Sequence, residues 1–440
     1  MSLQDAKEIF MAGVGSVQPA RLIPGHVSLN KDLLIVGDRS FRREALGKVI
    51  IIGAGKASAA MAVAVERVLM PVISAGLIIT KYGHSLPLEK IECLEAGHPV
   101  PDSNGIEATL KILSLVENLE KNDLVIFLVS GGASALMADV PPGLSTEALQ
   151  DLVRLLLASG ATIDEINCIR KHLSLVKGGH LAKKVFPANL VSLILSDVNG
   201  DELSVIASGP TVSDPSTFSE AIEILNKYNL AARVQPAILR FLQDGTNGLV
   251  PETPKPGDPA FGNTSNFLIG TNGVSLQAAC KAATEKGYHP LILNTRLEGE
   301  AEEQAAKFVE TCLLYTGTKP ACLLMGGETT VTIRGKGMGG RNQHFVLAAL
   351  CELIKKDVDP NQVPVILSGG TDGTDGPTDA AGAMIDAGLS NILKAAGGED
   401  LAQKFLSAND AYHFFEKYGG LIKTGPTQTN VMDLVIGLVF

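Results

Sequence analysis

The sequence predicts a two-domain α/β protein, and three observations carry that reading. Short β-branched runs alternate with helical patterns along most of the chain, as in βαβ units. Most of the strand runs are apolar throughout, as strands covered on both faces must be. Between the two halves, residues 243–263 (QDGTNGLVPETPKPGDPAFGN) hold four prolines and four glycines with almost no periodicity, which marks a domain boundary. The chain has 440 residues, more than one hydrophobic core usually organises. Residues 1–245 are therefore expected to form a Rossmann-like domain, a parallel sheet with helices on both faces. Residues 246–440 are expected to form a second α/β domain.

The first domain is read as strands at 49–52, 76–80, 91–94, 124–129 and 190–195. Helices are expected at 57–69, 106–119 and 146–157, where apolar residues recur at helical spacing. The second domain is read as strands at 267–269, 291–293, 322–325, 330–333, 363–367 and 434–439, with helices at 343–353 and 380–385. Only a few residues separate 322–325 from 330–333, too few for a parallel crossover. A hairpin is expected there, which would make the second sheet mixed.

Composition narrows the function. Net charge is −10 and no lysine or arginine block stands out, so nucleic acid is not an expected partner. The six cysteines are scattered with no C-x-x-C pair, which suits reduced thiols better than disulfides or a zinc site. No apolar run approaches the ~20 residues of a membrane helix, and the first residues carry no apolar leader pattern. A cytoplasmic protein without a membrane partner is expected.

The chemistry concentrates in glycine-rich segments. Glycine lets backbone approach a ligand closely, and amides at a helix N-terminus attract anions. Residues 52–58 (IGAGKAS) follow a strand and open a helix. Gly53, Gly55 and Ser58 give G-x-G-x-x-S, lacking the third glycine of a dinucleotide fingerprint, and the next strand ends in Lys81 where a ribose-binding acid would stand. The segment is either a tight structural turn or one that aims Lys56 at an anion. Residues 129–134 (VSGGAS) repeat the pattern with Ser130, Gly131, Gly132 and Ser134, and only half match a nucleophile elbow. They too form an anion-binding turn or a structural one. In SDVNGD (196–201), Asp197 stands just past a strand, suited to catalysis, metal binding or an Asx turn. His98 and His180 read as surface or structural residues.

Three more segments lie in the last third: MGGE with GKGMGGRN (325–328, 335–342), SGGTDGTDGPTD (368–379) and KTGPTQTN (423–430). Gly327, Glu328, Gly339 and Gly340 surround Arg341, a cation at a helix start, where the dipole disfavours it unless an anion binds. Its guanidinium can fork two phosphate or carboxylate oxygens. Asp372 and Asp375, three apart among glycines, suit Mg²⁺, which phosphoryl-transfer sites hold with one or two carboxylates. Asp379 is read as a helix cap. Lys423, Thr424, Thr427 and Asn430 add phosphate donors.

These motifs resemble the class II glycerate 2-kinases, whose C-terminal part is the MOFRL domain, here about 320–430. The resemblance rests on GAGKAS (53–58), GHPVPD (97–102), VSGGASAL (129–136), RKHLSLVKGG (170–179), LSDVNGD (195–201), ASGPT (207–211), GGETTV (326–331), GGRNQ (339–343), GTDGTDGPTDAAGA (370–383) and TGPTQTN (424–430), in that order. It implies ATP- and Mg²⁺-dependent phosphorylation of (R)-glycerate at the 2-hydroxyl, giving 2-phosphoglycerate, with the active site in an interdomain cleft. Lys56 and Arg341 match the family's cationic pair. The family continues GGRNQ with Glu where this chain has His344.

On that reading Asp372 and Asp375 hold Mg²⁺ on the ATP phosphates, Lys56 and Arg341 stabilise charge, and the Ser130–Ser134 turn grips the glycerate carboxylate. Asp197 takes the hydroxyl proton. The alternative is an NAD(P)H-dependent hydroxypyruvate reductase, a name also attached to relatives of the family; a non-enzymatic sensor of a phosphorylated sugar acid is the third reading. The oligomeric state stays open, with a homodimer weighed.

Overall fold

A computed structural model describes residues 3–440. The chain forms two compact units, Leu22–Ile269 and a second in which the residues up to Arg21 pack with Gly270–Phe440. This division differs from the expected one at 245–246 at both ends. The helix Leu3–Ser16 presents Ala6, Ile9, Phe10 and Val14 on one stripe, and these pack with Leu276 and Ala279 in the core of that second unit. At the far end, the strand expected to open the second sheet instead joins the first.

In the unit Leu22–Ile269, β1 (Val27–Leu29), β2 (Leu33–Val36) and β3 (Arg39–Arg42) form a small antiparallel sheet. The main sheet contains β4 (Val49–Ala54), β5 (Ala75–Lys81), β6 (Ile91–Ala96), β7 (Leu124–Val129), β8 (Asn189–Leu195) and β9 (Thr264–Gly270), in the order β6-β5-β4-β7-β8-β9. The pairs from β6 through β8 are all parallel. β4 and β7 are buried throughout, since helices cover both faces. After β4 the chain winds outward through β5 and β6, then returns to place β7 on the other side of β4. A crevice therefore opens at the carboxyl ends of β4 and β7, where doubly wound sheets bind ligands.

The second unit holds β10 (His289–Leu297), β11 (Ala321–Gly327), β12 (Val365–Gly370), β13 (Gly382–Ile385), β14 (Leu421–Ile422) and β15 (Asp433–Val439). Their order is β10-β11-β15-β12-β13-β14. The sheet is mixed, as expected, but not through a hairpin. β10 and β11 run parallel, while β15 inserts antiparallel between β11 and β12. Residues 330–333 form no strand: Thr330 alone bridges the backbone around Glu300, and beyond it the Glu300 side chain accepts the Thr332 N–H (3.1 Å) and hydroxyl (2.8 Å). Residues 380–385 are not a helix either. Gly382 pairs with Gly369 across β12 and β13, so closely that a Cβ there would stand 2.0 Å from the Ser368 carbonyl oxygen. The helix begins later, at Ala387, capped by Asp386.

Among the described residues no helix is long and apolar enough to cross a membrane. All six cysteines are free thiols; Cys93 and Cys280 are partly exposed and the other four buried.

Candidate active site

In the unit Leu22–Ile269 the two glycine turns are laced together at the ends of β4 and β7. The Lys56 N–H donates to the Gly131 carbonyl (2.9 Å), the Ser130 N–H to the Ala54 carbonyl (3.1 Å) and the Ala57 N–H to Ser130 Oγ (3.0 Å). Gly55 sits at φ +136°, and a Cβ there would stand 2.1 Å from Ser130 Oγ. Gly55→Ala is therefore expected to force the turns apart and cost at least about 2 kcal/mol; an unchanged denaturation midpoint would show the turns are not coupled. Gly132 (φ +84°) opens the short helix Ala133–Leu136. The His98 ring lies against it, 2.8 Å at Nε2 from where a Cβ would be.

The structure gives several of the predicted residues an internal role. Gly53 lies inside β4, where a Cβ would meet the Leu128 carbonyl oxygen at 2.8 Å, so it serves strand packing. The Ser58 hydroxyl is fully buried between the Gly55 and Ile79 carbonyl oxygens (2.8 and 2.9 Å), and Ser130 Oγ holds the neighbouring turn. The Ser58 hydroxyl is thus engaged within the protein, and Ser130 Oγ accepts from the Lys56 turn. Lys56 and Asp197 are half-buried, the latter two residues beyond β8. Burial pushes the His180 imidazole down to about 4, against the pull of Asp139. The unfolded chain then takes up a proton first as pH falls below about 6.5. This unit should lose up to about 3 kcal/mol between pH 6.5 and 4, and denaturation of wild type and His180→Gln across that range should show a shallower pH slope for the variant.

In the other unit the site gathers around the first residue of its central strand. Asp433 opens β15 and pairs in register with Gly327 of β11 and Gly370 of β12. It is 3% exposed. Arg341, first residue of the helix Arg341–Lys355, forks it: Nε donates to Oδ2 at 2.6 Å and Nη2 to Oδ1 at 2.9 Å. Arg341 Nη1 pairs with Glu328 at 2.6 Å. Burial works against the guanidinium charge, yet Asp433, Glu328 and Asp375 outweigh it and raise the Arg341 pKa overall. The anion expected beside this cation is thus in part the protein's own, with one N–H left on each of Nη1 and Nη2 for a ligand.

Asp375 also takes a role the sequence reading did not give it. Its Oδ1 accepts the Asn342 N–H (3.1 Å) and Nδ2–H (3.3 Å), and Oδ2 accepts the Gln343 N–H (2.8 Å). It caps the Arg341 helix from another segment, which Gly340 permits: a Cβ there would stand 2.2 Å from Asp375 Oδ1. Burial, with the nearby Asp433 charge, pushes its carboxyl up to about 7 despite those amides. Asp372 is half-buried and its Oδ1 accepts from the Thr374 N–H (3.0 Å) and hydroxyl (3.1 Å). The loop 423–430 packs against this one, since a Cβ on Gly373 would meet the Gly425 carbonyl oxygen at 2.1 Å. Buried Thr427 donates its hydroxyl to Thr371 O and its N–H to Asp372 O (3.3 Å). Asn430 Oδ1 accepts the Met432 N–H (3.3 Å). Thr424 Oγ bonds its neighbour's carbonyl at 2.8 Å. Lys423 is exposed and pairs with Asp379 (2.9 Å) and the Tyr412 hydroxyl (3.2 Å), so Asp379 anchors a surface pair and is not a helix cap. Gly327 (φ +141°) packs on the β10 backbone at Leu297, and Gly339 on Ala411. His344 Nε2 meets Glu302 at 3.2 Å.

Among the described residues no three His, Cys, Asp or Glu side chains form a ready metal cage. A Mg²⁺ ion needs only one or two carboxylates when phosphate and water complete its shell. A Cβ on Gly370 would lie 3.2 Å from Asp372 Oδ1 and 3.4 Å from Asp433 Oδ1. These two carboxylates thus converge beside a bare glycine, and that donor set fits the ion. Sequence reading missed Asp433, although one signal was present: an acid opening an otherwise apolar strand run (DLVIGLV) must be paired or ligated.

The MOFRL family model matches residues 321–433, and the domain of unknown function DUF4147 matches residues 5–243. The D-glycerate 2-kinase of Thermotoga maritima is 45% identical over 90% of this chain and 91% of its own length. The chain belongs to the glycerate kinase family. The glycerate 2-kinase of Pyrococcus horikoshii is 40% identical over 100% of this chain and 98% of its own. A putative hydroxypyruvate reductase of Agrobacterium vitis is 42% identical over 88% and 86%. A solved glycerate kinase from Thermotoga maritima superposes with a TM-score of 0.85 at 40% identity, covering 99% of both chains.

Proposed function

We propose that the protein transfers the γ-phosphoryl group of ATP to the 2-hydroxyl of (R)-glycerate, giving 2-phosphoglycerate and ADP. The observation that carries this reading is the Arg341 cluster, a guanidinium held at a helix start by Asp433 and Glu328 among glycine turns, in a chain alignable over nearly its whole length with glycerate 2-kinases. Phosphoryl transfer asks for positioning and charge neutralisation more than for covalent chemistry.

In this reading Arg341 presents its two remaining N–H donors to phosphate oxygens, and its bonds to Asp433 and Glu328 keep the fork pointed. Asp372 and Asp433 would hold Mg²⁺, which when bound neutralises phosphate charge. Asp375 fixes the helix that carries Arg341. Lys56 supplies a second cation from the β4 turn, and Asp197 accepts the proton that leaves the 2-hydroxyl. The loop carrying Thr424, Thr427 and Asn430 keeps the Asp372 turn in shape, with Lys423 at its edge.

The test is to incubate the protein with ATP, Mg²⁺ and (R)-glycerate, follow ADP release and identify the product by phosphorus NMR. Glycerate-dependent ADP with a 2-phosphoglycerate signal is expected. No ADP, but NADPH oxidation with hydroxypyruvate, would replace this reading with the reductase one and make the Gly53–Ser58 turn and Lys81 the cofactor site. Binding of a phosphorylated sugar acid without any turnover would leave the sensor reading.

A further inference from the structure

Arg170, Lys171, His172 and Lys177 crowd one segment of the unit Leu22–Ile269, and three of these side chains face an acid. Lys171 pairs with Asp214 at 3.4 Å, His172 Nε2 lies 3.3 Å from Glu252, and Lys177 meets Asp139 at 3.3 Å. Arg170 has none. Its contacts go to Ser134 alone, from Nη2 to Oγ at 2.6 Å and to the carbonyl oxygen at 3.4 Å. Asp139, the acid whose charge acts on Arg170, is already occupied by the Ser174 hydroxyl (2.6 Å), the Leu175 N–H and Lys177. Burial lowers the Arg170 pKa while the Asp139 charge opposes it. A half-buried guanidinium therefore keeps its Nε–H and both Nη1–H groups without a protein acceptor among the described residues.

The surroundings hold that guanidinium in one place. Ser208 donates to Asn167 Oδ1 (3.0 Å), so the 2.9 Å contact between Ser134 and Ser208 is made by the Ser134 hydroxyl donating. Ser134 Oγ then accepts from Arg170 and has no hydrogen left for a ligand. Ser208 and its neighbour Ala207 sit at φ +59° and +52°, a left-handed conformation that costs non-glycine residues about 1–2 kcal/mol each. Such strain persists only where neighbours enforce it. Ser134 belongs to the turn that ends β7, at the switch-point crevice beside the Lys56 turn.

We infer that Arg170 is the residue that grips the substrate carboxylate, through the Nε–H and Nη1–H donors that the protein leaves open. This rests on the hydroxy-acid kinase reading above. One guanidinium without an acid matches a monocarboxylate in charge, whereas a triphosphate carries far more charge than one cation balances. Ser134, expected to bind the acid, instead helps to aim Arg170.

Steady-state kinetics of the full chain test this with Arg170→Ala and the charge-conserving Arg170→Lys. Loss of a charged hydrogen-bond pair should raise KM for (R)-glycerate about 10- to 100-fold in Arg170→Ala. Arg170→Lys should fall between, and KM for ATP should stay unchanged. A purely structural role would lower the melting temperature and move both KM values together, which would overturn the assignment, as would an unchanged glycerate KM or a selective rise in the ATP KM. Calorimetric titration of (R)-glycerate without nucleotide separates this inference from the kinase reading. If wild type binds glycerate but does not phosphorylate it, the kinase reading fails, and weaker binding by the variants still supports Arg170. Equal binding by wild type and variants overturns it.

Discussion

Replacing Arg341 with alanine is expected to lower turnover about a thousandfold or more, the scale on which a cation at the transferring phosphoryl group acts. The same change should also destabilise the protein, because Asp433 would keep a buried charge with no partner. Removing one member of a buried pair typically costs about 3–5 kcal/mol. The two effects can be separated. Arg341→Met combined with Asp433→Asn removes both charges together and should recover most of the lost stability with no recovery of turnover. Arg341→Lys keeps a charge but cannot reproduce the fork onto Oδ1 and Oδ2, so its turnover should remain far below wild type. Near-normal kcat in Arg341→Lys, or in the double variant, would remove the guanidinium from the chemistry.

Asp375→Ala should produce the second large effect, on stability first and on turnover through it. The substitution strips the acceptor from three donors, the Asn342 N–H, the Gln343 N–H and the Asn342 side-chain amide, all in a buried setting. About 3 kcal/mol or more is at stake, and the helix that loses its cap is the one that starts with Arg341. Asp375→Asn should be only a partial remedy, since its amide nitrogen cannot accept from a helix N-terminus. Excess Mg²⁺ should restore neither stability nor turnover. A normal melting temperature in Asp375→Ala, with activity rescued by added Mg²⁺, would instead make Asp375 a metal ligand and refute the capping role.

How much of this was legible in the sequence can be judged residue by residue. The strands at 124–129 and 190–195 are apolar throughout, and burial on both faces leaves such runs few alternatives to a parallel sheet. Their observed bounds, Leu124–Val129 and Asn189–Leu195, lie within one residue of expectation. The run 380–385 fared differently. Alanine favours helix locally, but pairing of Gly382 with Gly369 turned it into β13. The spacing of 322–325 and 330–333 suggested a hairpin, yet the partner that flanks β11 arrives from the far end of the chain as β15. No local pattern announces a pairing of that kind.

The site divides along the same line. Chemistry-bearing residue types clustered among glycines are visible in sequence because close backbone approach demands glycine wherever the fold uses it. The sequence by itself therefore determined the alternation of strands and helices, the glycine turns and the motifs that assign the family. Only the tertiary structure decided what each donor faces. It turned Asp375 toward helix amides, brought Asp433 across the sheet to Arg341, occupied the Ser58 and Ser134 hydroxyls internally, and left Arg170 without an acid. The reason is physical: residue identity supplies a charge or a hydrogen-bonding capacity, but its partner is chosen by contacts between segments remote in the chain.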